Sequence, residues 1–201
     1  MITHIQEIYK SELGWALGYW YFTFRDLNSQ KVDQFLCSMV RSLYSQRRDT
    51  PTVIEEEYMQ SNDGLLFPST KSLMKMLNSV LDGFENGYIL VDALDECPKL
   101  GGDQERERAE LLERIHEICS WNKACLHILT TSRKEKDIEE SLTDLSKNIN
   151  NFQLVTVHGL HVKQDINKYL QLKLTASQFK TWGPELKREV QEKLVTQADG
   201  M

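Results

Sequence analysis

Two short polar segments of the sequence combine residue types that can bind a cation and a phosphate. Asp92, Asp95 and Glu96 place three carboxylates within five positions, directly after the apolar run 88–91. Carboxylates this close repel one another unless a cation lies among them, and Mg²⁺ bound to a triphosphate meets that requirement. A further carboxylate near such an ion can orient or deprotonate an attacking water. The spacing therefore favours a site for a magnesium nucleotide.

The second polar segment ends another apolar run and supplies hydroxyl groups and a guanidinium. Thr131, Ser132 and Arg133 follow residues 126–130. An arginine at this position can bind a terminal phosphate through two parallel hydrogen bonds. A second interpretation stays open, in which the carboxylates form a solvated turn that caps a helix and Arg133 pairs with a surface carboxylate.

The elements that must position these segments alternate between strands and helices. Apolar runs predict strands over residues 19–24, 88–92, 126–131 and 152–157. Helical spacing predicts helices over 29–47, 70–84, 104–121 and around 138–145, and then over 162–172 and 184–195. A short helix is expected between the turns at 49–51 and 61–64. This order predicts right-handed βαβ units and a parallel sheet, in which both polar segments lie beyond the carboxyl ends of strands.

Composition excludes several classes of protein. The 201 residues carry a net charge of −6 and no apolar run of about 18 residues, so we expect neither a nucleic acid partner nor a membrane span. The four cysteines include no C-x-x-C pair and are expected to be reduced thiols of a cytoplasmic protein. The five histidines form no zinc-binding motif.

Four segments, in this order along the chain, carry a resemblance to one known family. YWYFTFRDLNSQKVDQFLCSMVRSLYSQ, at 19–46, resembles the family's second strand and helix, and GYILVDALDECP, at 87–98, resembles its Walker B segment. ILTTSRKEKDIEESL, at 128–142, resembles the sensor 1 strand and helix, and VHGLHVKQDINKYLQLKL, at 157–174, the start of the helical lid. The family is the NACHT branch of signal-transducing (STAND) P-loop NTPases, and the resemblance is nearest to its fungal, nephrocystin-like members.

The resemblance implies a fold, a cofactor and roles for the polar residues. It implies a three-layer P-loop-NTPase-like α/β fold and Mg²⁺ with ATP or GTP. Hydrolysis in the family switches a receptor between closed and oligomeric states, so a homo-oligomer or related NACHT proteins are the implied partners. The implied roles are metal coordination by Asp92, catalysis by Asp95, Glu96 and Arg133, and nucleotide binding by Thr131 and Ser132.

The sequence departs from the family because it contains no G-x-x-x-x-G-K-[ST] phosphate-binding loop. We expect an N-terminal helical segment over 1–17, a partial NTPase core over 18–159 that lacks the first strand, and the start of the lid over 160–201. Hydrogen bonds to charged groups contribute about 1.5–3 kcal/mol each, so losing three weakens phosphate binding by roughly 10³- to 10⁴-fold. Three hypotheses therefore stay open: the chain is a piece of a larger switch, a non-catalytic interaction or decoy module that binds intact relatives, or a degenerate product.

Overall fold

A computed structural model gives the structure of the chain and describes residue 7 and residues 14–26, 28–61, 64–99, 107–156 and 160–197. Three strands, β1 (Trp15–Tyr21), β2 (Asn86–Asp92) and β3 (Leu126–Thr130), form a parallel sheet in the order β1-β2-β3. The α/β class and the parallel sheet predicted from the alternating pattern are therefore confirmed.

Seven helices alternate with and follow these strands within the described residues. They are α1 (Val32–Tyr44), α2 (Thr52–Gln60), α3 (Thr70–Leu81), α4 (Glu107–Ser120), α5 (Lys136–Asn148), α6 (Leu160–Leu174) and α7 (Pro184–Gln197). Each lies where the sequence predicted one, with ends that differ by a few residues. The chain divides into two compact units, Met1–Phe152 and Gln153–Met201.

Strand β2 is the central strand because its sequence is apolar without interruption. Ile89, Leu90 and Val91 are all buried, as expected of a continuous apolar run, and β2 pairs with a strand on each edge. Its pairing also decides where β1 lies, because Trp15 opposes Asn86 and Tyr21 opposes Asp92. The predicted strand over 19–24 is confirmed for 19–21, but β1 begins at Trp15 and ends at Tyr21, where β2 stops pairing with it. The helical segment predicted over 1–17 was wrong for 15–17, and its residues 1–6 and 8–13 lie outside the described residues.

One layer of helices covers the face of the sheet that carries Gly18, Ile89 and Val91. The absence of a side chain at Gly18 lets α1 approach closely, since a Cβ there would lie 3.0 Å from the sulfur of Met39. The apolar faces of α1, α3, α4 and α5 join Ile89 and Val91 in one core cluster. Right-handed crossovers that step in one direction from β1 to β2 and from β2 to β3 place α1, α3 and α4 on the same face, and α5, which follows β3, packs into the same cluster.

The opposite face of the sheet carries exposed aromatic and aliphatic side chains. Tyr19 and Tyr21 on β1 are 42% and 49% exposed, and Leu129 on β3 is 44% exposed. Leu90, although buried, lies outside the core cluster on the helical side. Of the predicted three layers, the described residues of this unit therefore contain the sheet and one helical layer.

The predicted fourth strand over 152–157 was wrong for residues 152–156, which form no strand, while Val157 lies outside the described residues. Phe152 packs against the core, whereas Leu154 and Val155 are 57% and 74% exposed. The segment has the apolar composition of a strand. An extended segment becomes a strand only when a neighbour supplies hydrogen bonds, and no described strand pairs with this one.

The two outer edges of the sheet differ in how they are protected. On β1, the Gln46 side chain accepts a hydrogen bond from the Leu17 N–H at 3.1 Å and donates one to the Leu17 carbonyl at 2.9 Å. No side chain of the described residues bonds in this way to the outer edge of β3. That edge also has no proline and no charged residue, which are common devices against unwanted strand pairing.

The second unit contains helices α6 and α7. The Gln191 side chain of α7 donates a hydrogen bond to Asn167 of α6 at 2.5 Å. Most side chains of this pair of helices are exposed, including Tyr169 and Leu172. None of the helices in the described part of the chain is both long enough and apolar enough to span a membrane.

All four cysteines are free thiols, as predicted, and burial lowers the acidity of three of them. Burial raises the pKa of Cys97 to about 12 and that of Cys119 to about 11, and it also raises the pKa of Cys37. Since the thiolate is the reactive form, Cys97 and Cys119 should stay protonated at pH 8.

We therefore predict that iodoacetamide at pH 8 leaves Cys97 and Cys119 unmodified in the native chain. After unfolding in denaturant, all four cysteines should react, because burial no longer holds the thiols protonated. Peptide mass spectrometry of both samples measures the modified sites. Modification of Cys97 in the native chain as fast as in the unfolded chain would contradict the burial of this thiol.

Candidate functional site

The carboxyl ends of β2 and β3 meet at one point of the sheet edge. Asp92 is the last residue of β2, and its carboxylate accepts a hydrogen bond from the Thr131 hydroxyl, directly beyond β3. The Thr131 N–H donates to the Val91 carbonyl at 2.9 Å, which continues the sheet pairing past Thr130. Asp92 is only partly buried. The first carboxylate of the predicted site is thus accessible and has a hydroxyl beside it.

A tight turn after β2 then directs the next two carboxylates away from Asp92. Ala93 adopts the left-handed conformation, with φ 58° and ψ 53°, and residues Leu94–Glu96 form one turn of 3₁₀ helix. Left-handed backbone is strained for a residue with a Cβ and persists where its surroundings fix it. Two hydrogen bonds to Thr131 do so, from the Ala93 N–H to the hydroxyl at 3.0 Å and from the Leu94 N–H to the carbonyl at 2.9 Å.

Asp95 lies inside this turn, and its carboxylate binds the segment 131–133 that follows β3 through hydrogen bonds. It is 8% exposed, and its carboxylate accepts a hydrogen bond from the Arg133 N–H at 2.9 Å. The Ser132 hydroxyl lies 3.4 Å from the same oxygen. Because these groups already occupy the carboxylate, its position favours holding the 131–133 segment in place over direct contact with a bound ligand.

Glu96 points to a third element at the same edge of the sheet. Its carboxylate accepts a hydrogen bond at 3.0 Å from the N–H of Phe24, which follows β1. Asp95 therefore ties the turn to the end of β3, and Glu96 ties it to the segment after β1. The predicted repulsion among three carboxylates is relieved, because each accepts hydrogen bonds from a different neighbour.

Arg108 is a residue of this site that sequence reasoning missed. Its guanidinium is buried and donates to the Asp95 carbonyl and, at 2.8 Å, to the Cys97 carbonyl. A signal was present in the sequence, since Arg108 lies three and four positions before the core residues Leu111 and Leu112 on one face of α4. A charged residue on a helical core face indicates a buried partner.

The outer side of the same guanidinium faces acidic residues at the start of α5. It lies 3.5 Å from Asp137 and 3.8 Å from Glu135, and Lys99 donates to Asp137 at 2.9 Å. Burial pushes the pKa of Asp137 upward, but the Lys99 hydrogen bond and the nearby cations outweigh burial and hold that pKa below its usual value. Arg108 thereby joins the turn after β2 to the helix that follows β3.

The predicted residues of the second segment separate into two kinds. Thr131 is anchored between the two strand ends by its hydrogen bonds to Asp92 and Val91. The Arg133 side chain is 67% exposed, and its guanidinium lies 3.6 Å from the Asp95 carboxylate. At this distance the exposed guanidinium forms no hydrogen bond with the buried carboxylate, so it is free to turn toward a ligand. The structure thus brings all six predicted residues to one edge of the sheet. Hydrogen bonds hold Thr131 and Asp95 in place, whereas the Arg133 guanidinium is exposed.

The donor set at this edge fits Mg²⁺ only in part. Within the described residues, no group of three or more His, Cys, Asp and Glu side chains is arranged to hold a metal ion. Asp92 offers a carboxylate at the strand tip, and Mg²⁺ often takes one carboxylate and fills its other positions with phosphate oxygens and water. The residues present therefore suit an ion that arrives with a phosphate ligand.

The family model described as nephrocystin 3, N-terminal, matches residues 1–133, which contain the whole sheet and the segment 131–133. No curated protein and no solved structure matches the chain.

We predict that Arg108→Met lowers the free energy of unfolding by about 3 kcal/mol, because it leaves two buried carbonyls without a donor. Arg114→Met on the same helix is the matched control. Its guanidinium pairs with the exposed side chains of Glu113 and Glu117, so its loss should cost less than about 1 kcal/mol. Urea unfolding followed by circular dichroism measures both. Equal losses in the two variants would contradict the structural role of Arg108.

Proposed function

The chain belongs to the nephrocystin 3 N-terminal family, and on that premise we propose that it forms the magnesium-binding and sensor side of a NACHT-type nucleotide switch. Asp92 would hold a Mg²⁺ ion that arrives with ATP or GTP, and the ion would neutralise phosphate charge. The observation that supports this is the hydrogen bond between Asp92 and Thr131 at adjacent strand ends. It places an accessible carboxylate and a hydroxyl where open α/β sheets bind ligands.

The other predicted residues differ in how directly they would contact a bound nucleotide. Arg133 is exposed and can reach a phosphate, whereas Asp95 acts as a positioning residue because its oxygens hold the 131–133 segment. Glu96 accepts a hydrogen bond from the Phe24 N–H, and a role in orienting water would require that bond to open. Asp92 therefore ranks first among the predicted catalytic and metal-binding residues.

The affinity of this chain for a nucleotide is expected to be low. The sequence has no phosphate-binding loop, whose backbone N–H groups and lysine provide most contacts to phosphates in such sites. The loss of three charged hydrogen bonds moves a micromolar site to a dissociation constant of millimolar or weaker, by roughly 10³- to 10⁴-fold. The chain thus supplies one side of the switch, and a full site needs a phosphate-binding element as well.

We predict that Mn²⁺ with millimolar ATP or GTP broadens the NMR signals of Asp92, Ala93 and Thr131 before those of other residues. Asp92→Asn should abolish this selective broadening, because an amide is a poor ligand for a hard cation. Asp144→Asn, which removes an exposed carboxylate on α5, should leave it unchanged. Calorimetric titration with the magnesium nucleotides should give no low-micromolar binding. Broadening that persists in Asp92→Asn would contradict the proposed ion site.

A second candidate function is a non-catalytic module that associates with related NACHT proteins. The observation that favours it is the outer edge of β3, which offers unprotected backbone groups for a further strand. In a parallel ladder alternate residues face each neighbour, and Thr131 donates to Val91 of β2. The N–H groups of Ile128 and Thr130 therefore point to the open edge.

For this candidate we predict that Thr130→Pro weakens binding to a P-loop-containing domain of the same family by about tenfold, or ~1.4 kcal/mol. Proline removes one outward N–H and leaves the pairing with β2 intact. Thr130→Val keeps the N–H and is the matched control. Fluorescence anisotropy with a labelled domain measures both variants. Equal binding by the two would exclude the β3 edge as the contact.

A further inference from the structure

The turn between α2 and α3 displays a group of large apolar side chains to solvent. We define the α2–α3 patch as Tyr58, Met59, Leu65, Leu66 and Phe67, whose exposures are 56%, 72%, 79%, 63% and 56%. Three of these residues are consecutive in the sequence. Consecutive exposed apolar residues are unfavourable in a monomer unless they serve binding.

Hydrogen bonds hold this patch in a defined shape. The Ser61 hydroxyl donates to the Tyr58 carbonyl at 2.8 Å and accepts from the Gly64 N–H at 3.2 Å, and the Leu66 N–H donates to the Ser61 carbonyl at 3.0 Å. Gly64 has φ +80° and lies against the Tyr58 ring, which a Cβ would approach to 2.9 Å. The turn therefore folds back onto the Tyr58 ring and leaves Leu65 and Leu66 exposed to solvent.

The helix before the turn gives the patch no cover. No residue of α2 is fully buried, and only Val53 and Ile54 pack in part against the core. Tyr58, one turn after Ile54, and Met59 remain exposed. The stability of α2 within the fold therefore depends on few contacts, and a partner that covers the patch would add burial where the monomer lacks it.

Opposite charges flank the patch. Glu55 precedes Tyr58 by three positions on α2, and Lys71 follows Phe67 in the first turn of α3. Both side chains belong to exposed residues, and neither forms a salt bridge with another described residue. Lys75, in contrast, pairs with Glu56 and Glu57 at 3.7 and 3.5 Å. An apolar patch with an unpaired acid on one flank and an unpaired base on the other is complementary to itself.

We propose that a second copy of this chain binds the α2–α3 patch and forms a two-fold symmetric dimer. In such a dimer Glu55 of one copy faces Lys71 of the other, and the relation repeats across the axis. With side-chain areas on the order of 150–250 Å², the patch presents roughly 600 Å². Burial of two such patches removes roughly 1,200 Å² from water, the lower bound for a specific interface.

Sedimentation analysis from low to high micromolar concentration tests the proposal. The wild-type chain should be a dimer that dissociates on dilution, and Leu65→Ser combined with Phe67→Ser should be monomeric. Leu172→Ser, an exposed leucine of α6, is the control for the loss of a surface leucine. Thr130→Pro is the control that distinguishes dimerisation through the α2–α3 patch from association through the β3 edge. Both controls should dimerise as the wild type does, and circular dichroism checks that each variant folds.

Exchange of the flanking charges tests the symmetry itself. Glu55→Lys and Lys71→Glu should each weaken dimerisation by about tenfold, whereas the double exchange should restore it to within about threefold of wild type. A wild-type chain that stays monomeric at high micromolar concentration would overturn the proposal. A dimer that survives in the Leu65→Ser/Phe67→Ser variant, or is lost in Thr130→Pro alone, would overturn it as well.

Discussion

The pairing of β2 with a parallel strand on each edge is the constraint on which the rest of the first unit depends. β1 and β3 satisfy the backbone hydrogen bonds of β2 on both edges, which lets this apolar strand lie inside the fold, where the helices on one face bury Ile89 and Val91. Parallel pairing also aligns the carboxyl ends of all three strands. For that reason Asp92, Thr131 and the Phe24 N–H meet at one edge, although they are far apart in the sequence.

The turn after β2 converts this alignment into a rigid arrangement of polar groups. Asp95 and Glu96 accept hydrogen bonds from backbone N–H groups in the segments after β3 and β1. From within the core, the Arg108 guanidinium donates hydrogen bonds to the backbone carbonyls of the turn. Because Asp95 is buried, release of its hydrogen bond from the Arg133 N–H would cost free energy, whereas the hydrogen bond from the Phe24 N–H to Glu96 is exposed to solvent. Asp95 is therefore a buried structural carboxylate, whereas Asp92 and Glu96 are partly buried. Asp92 differs from Glu96 because its partner is the Thr131 hydroxyl at the adjacent strand end.

The surfaces left open by this fold are of different kinds. Gln46 protects the outer edge of β1 with side-chain hydrogen bonds, whereas β3 presents bare backbone groups. The α2–α3 patch instead presents apolar side chains on a hydrogen-bonded turn. The β3 edge offers directional hydrogen bonds and the patch offers burial of area, so they suit partners of different chemistry.

The sequence by itself determined the α/β class, the central strand, the helices and the place of the polar residues, because hydrophobic periodicity and strand-tip position are local properties. Tertiary structure decided the rest. Where β1 begins depends on its register with β2, and residues 152–156 carry a strand-like sequence without a strand because pairing requires a neighbour. The difference in burial between Asp92 and Asp95 likewise depends on distant segments, since the hydrogen bond that Asp95 accepts comes from the Arg133 N–H. Three carboxylates look alike in sequence, and only the fold decides that Asp95 is buried among backbone donors while Asp92 and Glu96 stay partly exposed.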